Sequence, residues 1–469
     1  MAIKLSATRL DLGTARLDNA NLRAYSESVN ALGSVSGATT INLALGSIIT
    51  ATATAAVTWS VTNVPSSSAY CAFTLVLTNG GRATQTWMSG TKWQNSTAPT
   101  LTVVGTDILT FFTTDGGTTW QGSVTMTNSS AGSQMFQWGD GGNGRLGTGD
   151  TVKRSSPVQI TGTWAVVSGG DVHCVALRPE GSLFAWGWGR YARHGQGDTL
   201  DRSSPTQLAG TWANTSGGNA SSGAVKTDGT LWMWGYGALG RLALGDTVNR
   251  SSPVQVTGTW NSVRLGSLFG TGFKADGSLW SWGFNSSGRL GLGDEVTRSS
   301  PTQLAGNWSY VSAGSNASAG LKSDGSLFLW GDNGSGQLGI GDTVNRSSPV
   351  QVPGTWTGVS IITHTFALKA DGSLWGWGAN SAGRLGLGDV MLRSSPVQLA
   401  GTWIAIATRS AGTLGIRKDG SLWVWGSGSD GIIGNGISDV TYSSPVQVAG
   451  VWGALFLDTI TSHSMARRP

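Results

Sequence analysis

A Trp-Gly pair at the end of a short apolar run returns seven times in register, and this repeat constrains the fold more than any other feature. Successive copies lie 47 or 48 residues apart, and each is followed by Ser-Ser-Pro and then by a second tryptophan. Repeats of this length are typical of architectures in which each unit packs only against its neighbours. The seven tryptophans are Trp138, Trp186, Trp234, Trp282, Trp330, Trp377 and Trp425.

Each unit of the repeat contains several short runs of alternating polarity, separated by glycine-rich turns. In "AGLKSDGSLFLWG", two predicted strands are joined by Asp324-Gly325, a dipeptide suited to a tight hairpin. In "SSPVQVTGTW", the proline stands at the start of another strand, where a missing N–H is tolerated. Several short strands per unit, repeated seven times, predict a β-propeller with one blade per unit.

The pattern "ALKxDGSLWxWGxNxxGRLGxGD…SSP" resembles the repeat of the regulator of chromosome condensation family. The resemblance covers residues 133–469 and implies a seven-bladed propeller. We therefore expect an all-β fold, with an N-terminal antiparallel β-sandwich or jelly-roll-like domain followed by a seven-bladed β-propeller closed by N- and C-terminal strands.

The two ends of the repeat predict how the ring closes. The first unit begins at "SQMFQWG" and lacks the strand that precedes the Trp-Gly strand in later units. The C-terminal "TSHSMARRP" parallels "DVHCVALRP" of residues 171–179. We expect the C-terminal segment to supply the missing strand of the first blade, which would leave no open sheet edge. The repeated tryptophans then have a structural role, because large aromatics can fill the space between neighbouring sheets.

Residues 31–132 differ from the repeat. Runs such as "AVTWSVTNV" and "ILTFFTTDGGTTW", with turns at Asn79-Gly80 and Asp115-Gly116, predict the antiparallel sandwich or jelly roll. The segment 69–122 resembles a module of virion appendage proteins of tailed bacteriophages, which implies a virion-attachment domain. Residues 1–30 contain Arg-Leu-Asp twice. They form either an arm that docks on another virion protein or an ordinary first strand or terminus.

Few residues are candidates for catalysis or metal binding. His173, His364 and His463 occupy one repeat position, where other blades have Ser, Phe, Ala or Gly, so a structural role is favoured over metal binding. The repeated aspartates lie in Asp-Gly turns and Gly-Asp loops, as turn formers or ion-pair partners do. No Cys/His spacing indicates zinc. We therefore expect no catalytic residue, no metal and no cofactor.

Basic residues recur at three positions of the repeat: before the hairpin turn, after Trp-Gly, and before Ser-Ser-Pro. The simpler explanation is an Asp-Arg pair within each blade, for example Asp294 with Arg298. The alternative is a ring of positive charge that attracts an acidic glycan or a phosphate.

The loops after Trp-Gly depart from the repeat in the second and third units. These departures, Trp188, Arg190, Tyr191 and Tyr236, form our candidate recognition patch. Aromatic and arginine side chains that the core does not require are suited to binding hot spots or to stacking on sugars. Random drift in a surface loop is the alternative explanation.

Composition narrows the function further. The formal net charge is only +5 and no dense Lys/Arg run accompanies it, so we expect no nucleic-acid partner. The N-terminus has no apolar signal region and the chain has no apolar run of 18 residues, so we expect no membrane insertion. Two cysteines provide no disulfide framework, which fits synthesis in a host cytoplasm.

We expect a structural, non-enzymatic virion protein of a tailed bacteriophage, most simply a tail-fibre or appendage protein located on the virion. The N-terminal region would bind other virion proteins, and the propeller would bind a host cell-surface glycan or receptor. We also expect a homo-oligomer on the particle. A capsid decoration or head-fibre protein is the alternative. An exchange factor is disfavoured because the constant spacing leaves no inserted partner-binding element, and a polysaccharide-degrading enzyme because no acid pair stands outside the repeat.

Overall fold

The computed structural model describes residues 29–64, 71–78, 84–93, 98–99, 101, 106–127, 133–455 and 463–468. Their regular elements are β-strands and single turns of 3-10 helix, which confirms the all-β class. Within these ranges no helix is long and apolar enough to cross a membrane. The chain divides into two compact units, Met1–Asn128 and Ser129–Pro469. The proposed arm of residues 1–30, apart from its last two residues, and the Asn79-Gly80 turn lie outside the described residues.

The first unit is a mixed sheet with one apolar core. Its strands are β1 Val29–Asn42, β2 Ile48–Thr62, β3 Cys71–Thr78, β4 Gln85–Thr86, β5 Thr91–Trp93, β6 Thr106–Thr113 and β7 Trp120–Thr127. The sheet order is β1-β2-β3-β6-β7-β5, and β4 pairs with β2. Strands β3, β6 and β7 are antiparallel, and Asp115 lies in the turn between β6 and β7 as the sequence predicts. The core includes Trp59, Phe73, Phe111 and Trp120.

Four pairs of the described strands in this unit are parallel, so the expected antiparallel arrangement holds only in part. These are β1 with β2, β2 with β3, β2 with β4, and β5 with β7. Val29 lies opposite Ile48, although only the short segment 43–47 joins β1 to β2. A straight strand of this length would span about 45 Å, which so short a connection cannot bridge. We infer that β1 bends back at its register shifts, near Gly33 and Gly37, whose φ angles are +67° and +64°.

The second unit consists of seven blades of four antiparallel strands. Blade 1 contains β33 Ala454–Leu455, β34 His463–Arg468, β8 Ser133–Gly139 and β9 Arg154–Trp164. Blade 2 contains β10 Val166–Gly169, β11 His173–Leu177, β12 Leu183–Gly187 and β13 Arg202–Leu208. Blades 3 and 4 contain β14 Trp212–Gly217, β15 Ser221–Lys226, β16 Thr230–Gly235, β17 Arg250–Leu265, β18 Phe269–Lys274, β19 Leu279–Gly283 and β20 Arg298–Leu304, and they share the long β17.

The remaining three blades repeat the same order without a shared strand. Blade 5 contains β21 Tyr310–Ala313, β22 Ala317–Leu321, β23 Leu327–Gly331 and β24 Arg346–Val352. Blade 6 contains β25 Gly358–Ile361, β26 His364–Leu368, β27 Leu374–Gly378 and β28 Arg393–Leu399. Blade 7 contains β29 Trp403–Thr408, β30 Gly412–Arg417, β31 Ser421–Gly426 and β32 Tyr442–Val451.

The ring closes through the C-terminal strand, as predicted. Strand β34 pairs with β8 over six residues, from His463 opposite Gly139 to Arg468 opposite Gln134. Blade 1 therefore combines strands from both ends of the propeller sequence. This arrangement covers the edge that β8 would otherwise expose to strand pairing with other chains.

Each blade is bonded to the preceding blade by the indole of its Trp-Gly tryptophan. All seven indoles are fully buried, and each Nε1 donates to a loop carbonyl of the preceding blade. Trp186 Nε1, for example, donates to Arg145 O at 3.0 Å. Gly147 permits this approach, since an added Cβ would lie 2.7 Å from Trp186 Nε1. The structural role of the repeated tryptophans is confirmed.

Candidate functional site

The histidines of the repeat are interior residues, as predicted. His173, His364 and His463 are fully buried at the first position of a strand, and burial lowers the pKa of each imidazole. His173 Nε2 lies 2.8 Å from Ser222 Oγ, and His364 Nε2 lies 2.7 Å from Thr413 Oγ1, in each case across a blade boundary. Within the described ranges, no three His, Cys, Asp or Glu side chains are grouped so that they could hold a metal ion.

The basic residues before Ser-Ser-Pro form the Asp-Arg pairs that the sequence predicts. Six such ion pairs, four residues apart, join Arg154, Arg202, Arg250, Arg298, Arg346 and Arg393 to Asp150, Asp198, Asp246, Asp294, Asp342 and Asp389, with N–O distances of 2.5–2.7 Å. The arginines after Trp-Gly instead donate Nε to the carbonyl three residues earlier, as Arg193 does to Arg190 O at 2.9 Å. Arg193, Arg289 and Arg384 also donate Nη1 to a carbonyl of the following blade, so both sets of arginines have partners within the propeller.

The basic residues before the hairpin turn lie between two aromatic rings. Lys274 Nζ, for example, is 3.5 Å from the ring centroid of Trp280 and 5.4 Å from that of Trp260. Such cation–π contacts are worth about 0.5–2 kcal/mol each. The full set is Arg178, Lys226, Lys274, Lys322, Lys369, Arg417 and, supplied to blade 1 by β34, Arg468. These contacts hold the cations in place and disfavour a ring of free positive charge.

A row of aromatic side chains extends over the loops of blades 2, 3 and 4. Three of its members, Trp188, Tyr236 and Phe284, directly follow a Trp-Gly pair, are half-buried, and each lie against the arginine five residues later. The distances from guanidinium carbon to ring centroid are 4.9 Å for Arg193 and Trp188, 4.7 Å for Arg241 and Tyr236, and 4.8 Å for Arg289 and Phe284. We call Trp188, Tyr191, Tyr236 and Phe284 the aromatic arc.

Tyr191 connects the first two positions of the arc. Its ring stacks on that of Tyr236 with centroids 4.3 Å apart and an interplanar angle of 27°. The exposed Arg190 lies over both Tyr191, at 4.8 Å, and Trp188, at 5.5 Å. The structure therefore brings all four residues of the candidate recognition patch together, although Tyr191 and Tyr236 are far apart in sequence.

The backbone beneath this cluster is strained. Tyr191 has φ +63° and ψ +17°, a left-handed conformation that is rare for a bulky side chain. Ala192, with φ +56°, stands where the other six blades have glycine. A left-handed residue with a Cβ costs roughly 1–2 kcal/mol, and such strain concentrates at functional sites. The position of Tyr191 is also left-handed at Asn143, Leu239, Ser287, Ala382 and Asp430, so blade 2 is distinguished by the aromatic ring at this position and by the Cβ of Ala192.

The arc is confined to one part of the ring. At the position of Trp188, blade 1 has Asp140, which pairs with Arg145 at 2.8 Å. Blade 5 has Asp332, which accepts from Gln337 Nε2 at 2.7 Å. Blades 6 and 7 have alanine and serine there. The same loop position is thus aromatic in three successive blades and small or acidic in the other four.

Phe284 and the three underlying arginines were missed by the sequence reasoning. Phe284 extends the arc to blade 4, where the loop otherwise follows the common pattern "NSSGR". Aligning the seven loops on the residue after Trp-Gly would have revealed the run of Trp188, Tyr236 and Phe284. The contact of each ring with its own arginine could not be read from the repeat, because it depends on the 3-10 turn between them.

A cavity of about 740 Å³ lies at the opposite ends of the strands, beside the Asp-Gly turns of blade 5. Its wall includes Tyr310, Gly358 and Ile404, the last of which is 54% exposed. The charged groups in its wall have structural partners: Lys322 lies between the rings of Trp308 and Phe328, and Asp324 accepts from Ser326 N in its own turn. We therefore favour the arc as the candidate site.

Comparison with known proteins agrees with the geometry of the propeller. A sequence model of the regulator of chromosome condensation (RCC1) repeat matches residues 133–177, 228–267, 276–321, 324–367 and 371–408, and a second model of the same repeat matches residues 308–337. No curated protein sequence matches the chain.

Two solved structures illustrate the likeness. Prp20p from Saccharomyces cerevisiae, studied for its binding to Gsp1p and histones, is 18% identical, with a TM-score of 0.63 over 71% of this chain and 91% of that chain. Human WBSCR16 is also 18% identical, with a TM-score of 0.63 over 71% of this chain and 98% of that chain. At this identity the likeness shows the fold alone. The chain thus contains RCC1 repeats in the matched segments, and its propeller has the fold of RCC1-like propellers.

Proposed function

We propose that the protein is a non-enzymatic recognition protein whose propeller binds a macromolecular partner through the aromatic arc. One observation carries this proposal: a strained loop in blade 2 holds Tyr191 in a stack with Tyr236, flanked by Trp188 and Arg190. The seven buried indoles already fill the blade interfaces, so packing alone does not require these additional rings.

The arc has the properties of a preorganised binding surface. Its rings are held by arginines that are themselves fixed by hydrogen bonds, as Arg241 Nε is to Ala238 O at 2.9 Å. Little side-chain freedom is lost when such rings contact a partner, which favours affinity. Tryptophan, tyrosine and arginine are also the residue types that dominate binding hot spots.

We propose a host cell-surface glycan or receptor as the partner, and a tail appendage of a phage virion as the location. Flat aromatic faces beside an exposed guanidinium suit stacking on sugar rings and hydrogen bonding to their substituents. The virion part of the proposal depends only on the resemblance of segment 69–122 to phage appendage proteins. Attachment through the N-terminal region and oligomerisation on the particle belong to the same proposal, and capsid decoration remains the alternative location.

A protein partner is the second candidate, because structural neighbours are described as binding proteins. Prp20p is described by its binding to Gsp1p and histones, and Kap60 has been crystallised bound to yeast RCC1. In residues 133–455 the blades of this chain follow one another without an inserted element, so the arc would also be the natural surface for such a partner.

Two experiments test the proposal. Labelled full-length protein should bind to bacterial cells and to extracted envelope polysaccharide, and free polysaccharide should compete. Immunogold electron microscopy of phage particles with antibody to the propeller should label the tail. Label over the capsid would instead favour decoration, and particles without label would remove the virion assignment. Binding to purified Gsp1p or histones, with none to envelope material, would favour the second candidate.

A further inference from the structure

Sulfur-containing side chains converge where the ring closes. Met135 on β8 and Met465 on β34 face Cys174 on β11 of blade 2, and all three are buried. One terminal atom of the Gln137 amide lies 3.3 Å from Met465 Sδ, 3.6 Å from Cys174 Sγ and 3.7 Å from Met135 Sδ. Three sulfurs therefore surround the end of the Gln137 side chain inside the protein.

An imidazole nitrogen completes the group. His463 Nε2 lies 3.1 Å from Cys174 Sγ, which in turn lies 4.0 Å from Met465 Sδ. The corresponding contacts elsewhere in the ring join a histidine to the hydroxyl of Ser222 or Thr413. The closing junction is thus the one boundary in the described chain where a thiol and two thioethers stand beside the repeat histidine.

The orientation of Gln137 leaves the sulfurs with an oxygen facing them. With its NH2 group donating to Leu146 O at 3.1 Å and to Arg145 O at 3.2 Å, the amide satisfies two loop carbonyls. Its Oε1 then faces the three sulfurs, and the Cys174 S–H is the donor within reach. A buried cluster of one thiol, two thioethers, one imidazole and one amide oxygen is a soft-donor environment.

We propose that Cys174, His463 and Met465, with Met135 beside them, form a buried site for a soft monovalent cation, Cu(I). Thiolate and thioether sulfurs select Cu(I), whereas Mg²⁺ and Ca²⁺ require oxygen ligands. Binding exchanges the Cys174 proton for the metal: a Cu–S bond forms, the S–H bond breaks, one proton leaves to solvent, and no electron is transferred.

The charge of the site favours a monovalent ion over Zn²⁺. One thiolate neutralises Cu(I), whereas Zn²⁺ with the same ligands would leave an uncompensated positive charge in the protein interior, which is costly. The cationic Arg145 nearby, already paired with Asp140, adds to that cost. The ligands also come from both ends of the propeller sequence, so a bound ion would fasten β34 to blade 2 and stabilise the closed ring.

The test uses full-length protein carrying Cys71→Ser, which removes the other cysteine, located in the first unit. Cu(I) is supplied anaerobically as its complex with a coloured chelator, both to folded protein and during refolding, so that burial does not prevent loading. We expect one Cu(I) per chain, sulfur ligands in X-ray absorption spectra, and a raised melting temperature. Cys174→Ser should lower the affinity at least about 100-fold, and Met465→Leu about 10-fold.

The Cys174→Ser variant should fold, because the equivalent positions hold Ser222 and Ser318. Its melting temperature without metal should match that of the parent and should not respond to Cu(I). The proposal is overturned if the parent takes no Cu(I) from the chelator under either loading condition, or if uptake is the same without Cys174. Preference for Zn(II) over Cu(I) would overturn the choice of a soft monovalent ion.

Discussion

A substitution of Ser464 tests the closure of the ring, because the Ser464 hydroxyl bonds the C-terminal strand to blade 7. Its Oγ donates to Ile432 O at 2.7 Å and accepts from Arg409 Nη1 at 2.5 Å. Arg409 is 1% exposed, and burial lowers the pKa of its guanidinium to about 9. Among the described hydrogen bonds, the Arg409 side chain has one other acceptor, the backbone carbonyl Ile432 O, which lies 3.2 Å from Nη1. Removing the Ser464 hydroxyl therefore takes an acceptor from a buried cation.

We expect Ser464→Ala to lower the free energy of unfolding by about 2–3 kcal/mol, because hydrogen bonds to charged groups contribute roughly 1.5–3 kcal/mol. Ser318→Ala is the matched control at the same repeat position in blade 5. Its hydroxyl donates to Arg289 O at 3.0 Å, and this carbonyl also accepts from Trp330 Nε1. With a neutral bond lost and the carbonyl still satisfied, the cost should be about 1 kcal/mol.

Urea unfolding, followed by tryptophan fluorescence, measures the free energy of unfolding of both variants. Their midpoints can be compared if this free energy falls with urea concentration at the same slope in both. Deletion of residues 463–469 extends the test, since it removes all six pairings with β8 and the buried Met465. Its cost should reach the 5–15 kcal/mol that a whole domain typically has, so we expect no cooperative propeller transition. Equal losses in the two serine variants, or an unchanged melting temperature after the deletion, would refute the reasoning.

Three further predictions concern the interior, the turns and the cation–π contacts. Burial lowers the pKa of His463 to about 3 and that of His194 to about 4, against 6.5 when exposed. The unfolded chain therefore takes up protons that the folded chain cannot. The free energy of unfolding should fall by about 1.4 kcal/mol per histidine for each pH unit below pH ~6. A melting temperature that does not change from pH 6 to 4.5 would contradict this. Gly283→Ala should cost more than about 3 kcal/mol, because φ is +100° and the new Cβ would lie 2.6 Å from Phe269 Cα, whereas Gly277→Ala, with open space around it, should cost about 1–2 kcal/mol; similar losses would show that crowding is unimportant. Lys274→Met should lower the free energy of unfolding by about 0.5–1 kcal/mol, because it removes the cation–π contact with Trp280. Urea unfolding measures this loss against Lys418→Met, an exposed control. Equal losses in the two variants would argue against the contact.

The sequence predicted the propeller well because every local signal occurred seven times. The missing strand before Met135 and the unmatched segment at His463 were visible as departures from a regular period, and they identified the closing pair. The Asp-Gly turns and the Asp-Arg pairs followed from residue types at fixed offsets. In the first unit no such repetition exists. Alternating polarity predicts strands there but does not distinguish parallel from antiparallel neighbours, so the pairing of β1 with β2 was not foreseen.

The candidate site was predicted in part, for a different physical reason. Trp188 and Tyr191 stood out because the loop of blade 2 departs from the repeat at several positions, whereas Phe284 did not, because the rest of its loop, "NSSGR", follows the common pattern. The stacking of Tyr191 on Tyr236 depends on the distance between adjacent blades, which no local pattern encodes. The same holds for Cys174 and His463, which meet only because the ring closes.

The most direct test of the central claim compares the affinity of wild-type protein and an arc variant for bacterial envelope material. Trp188→Ser, Tyr191→Asn and Tyr236→Ser introduce residue types that other blades already carry at the same loop positions, Ser427 in blade 7 and Asn143 in blade 1, so the fold should persist. Leu392→Ser, at an exposed apolar position of blade 6, is the control. We predict that the triple variant binds at least about 100-fold more weakly, as expected when several hot-spot side chains are removed, while the control binds like wild type. Undiminished binding by the triple variant, with its melting temperature intact, would contradict the assignment of the aromatic arc as the recognition surface.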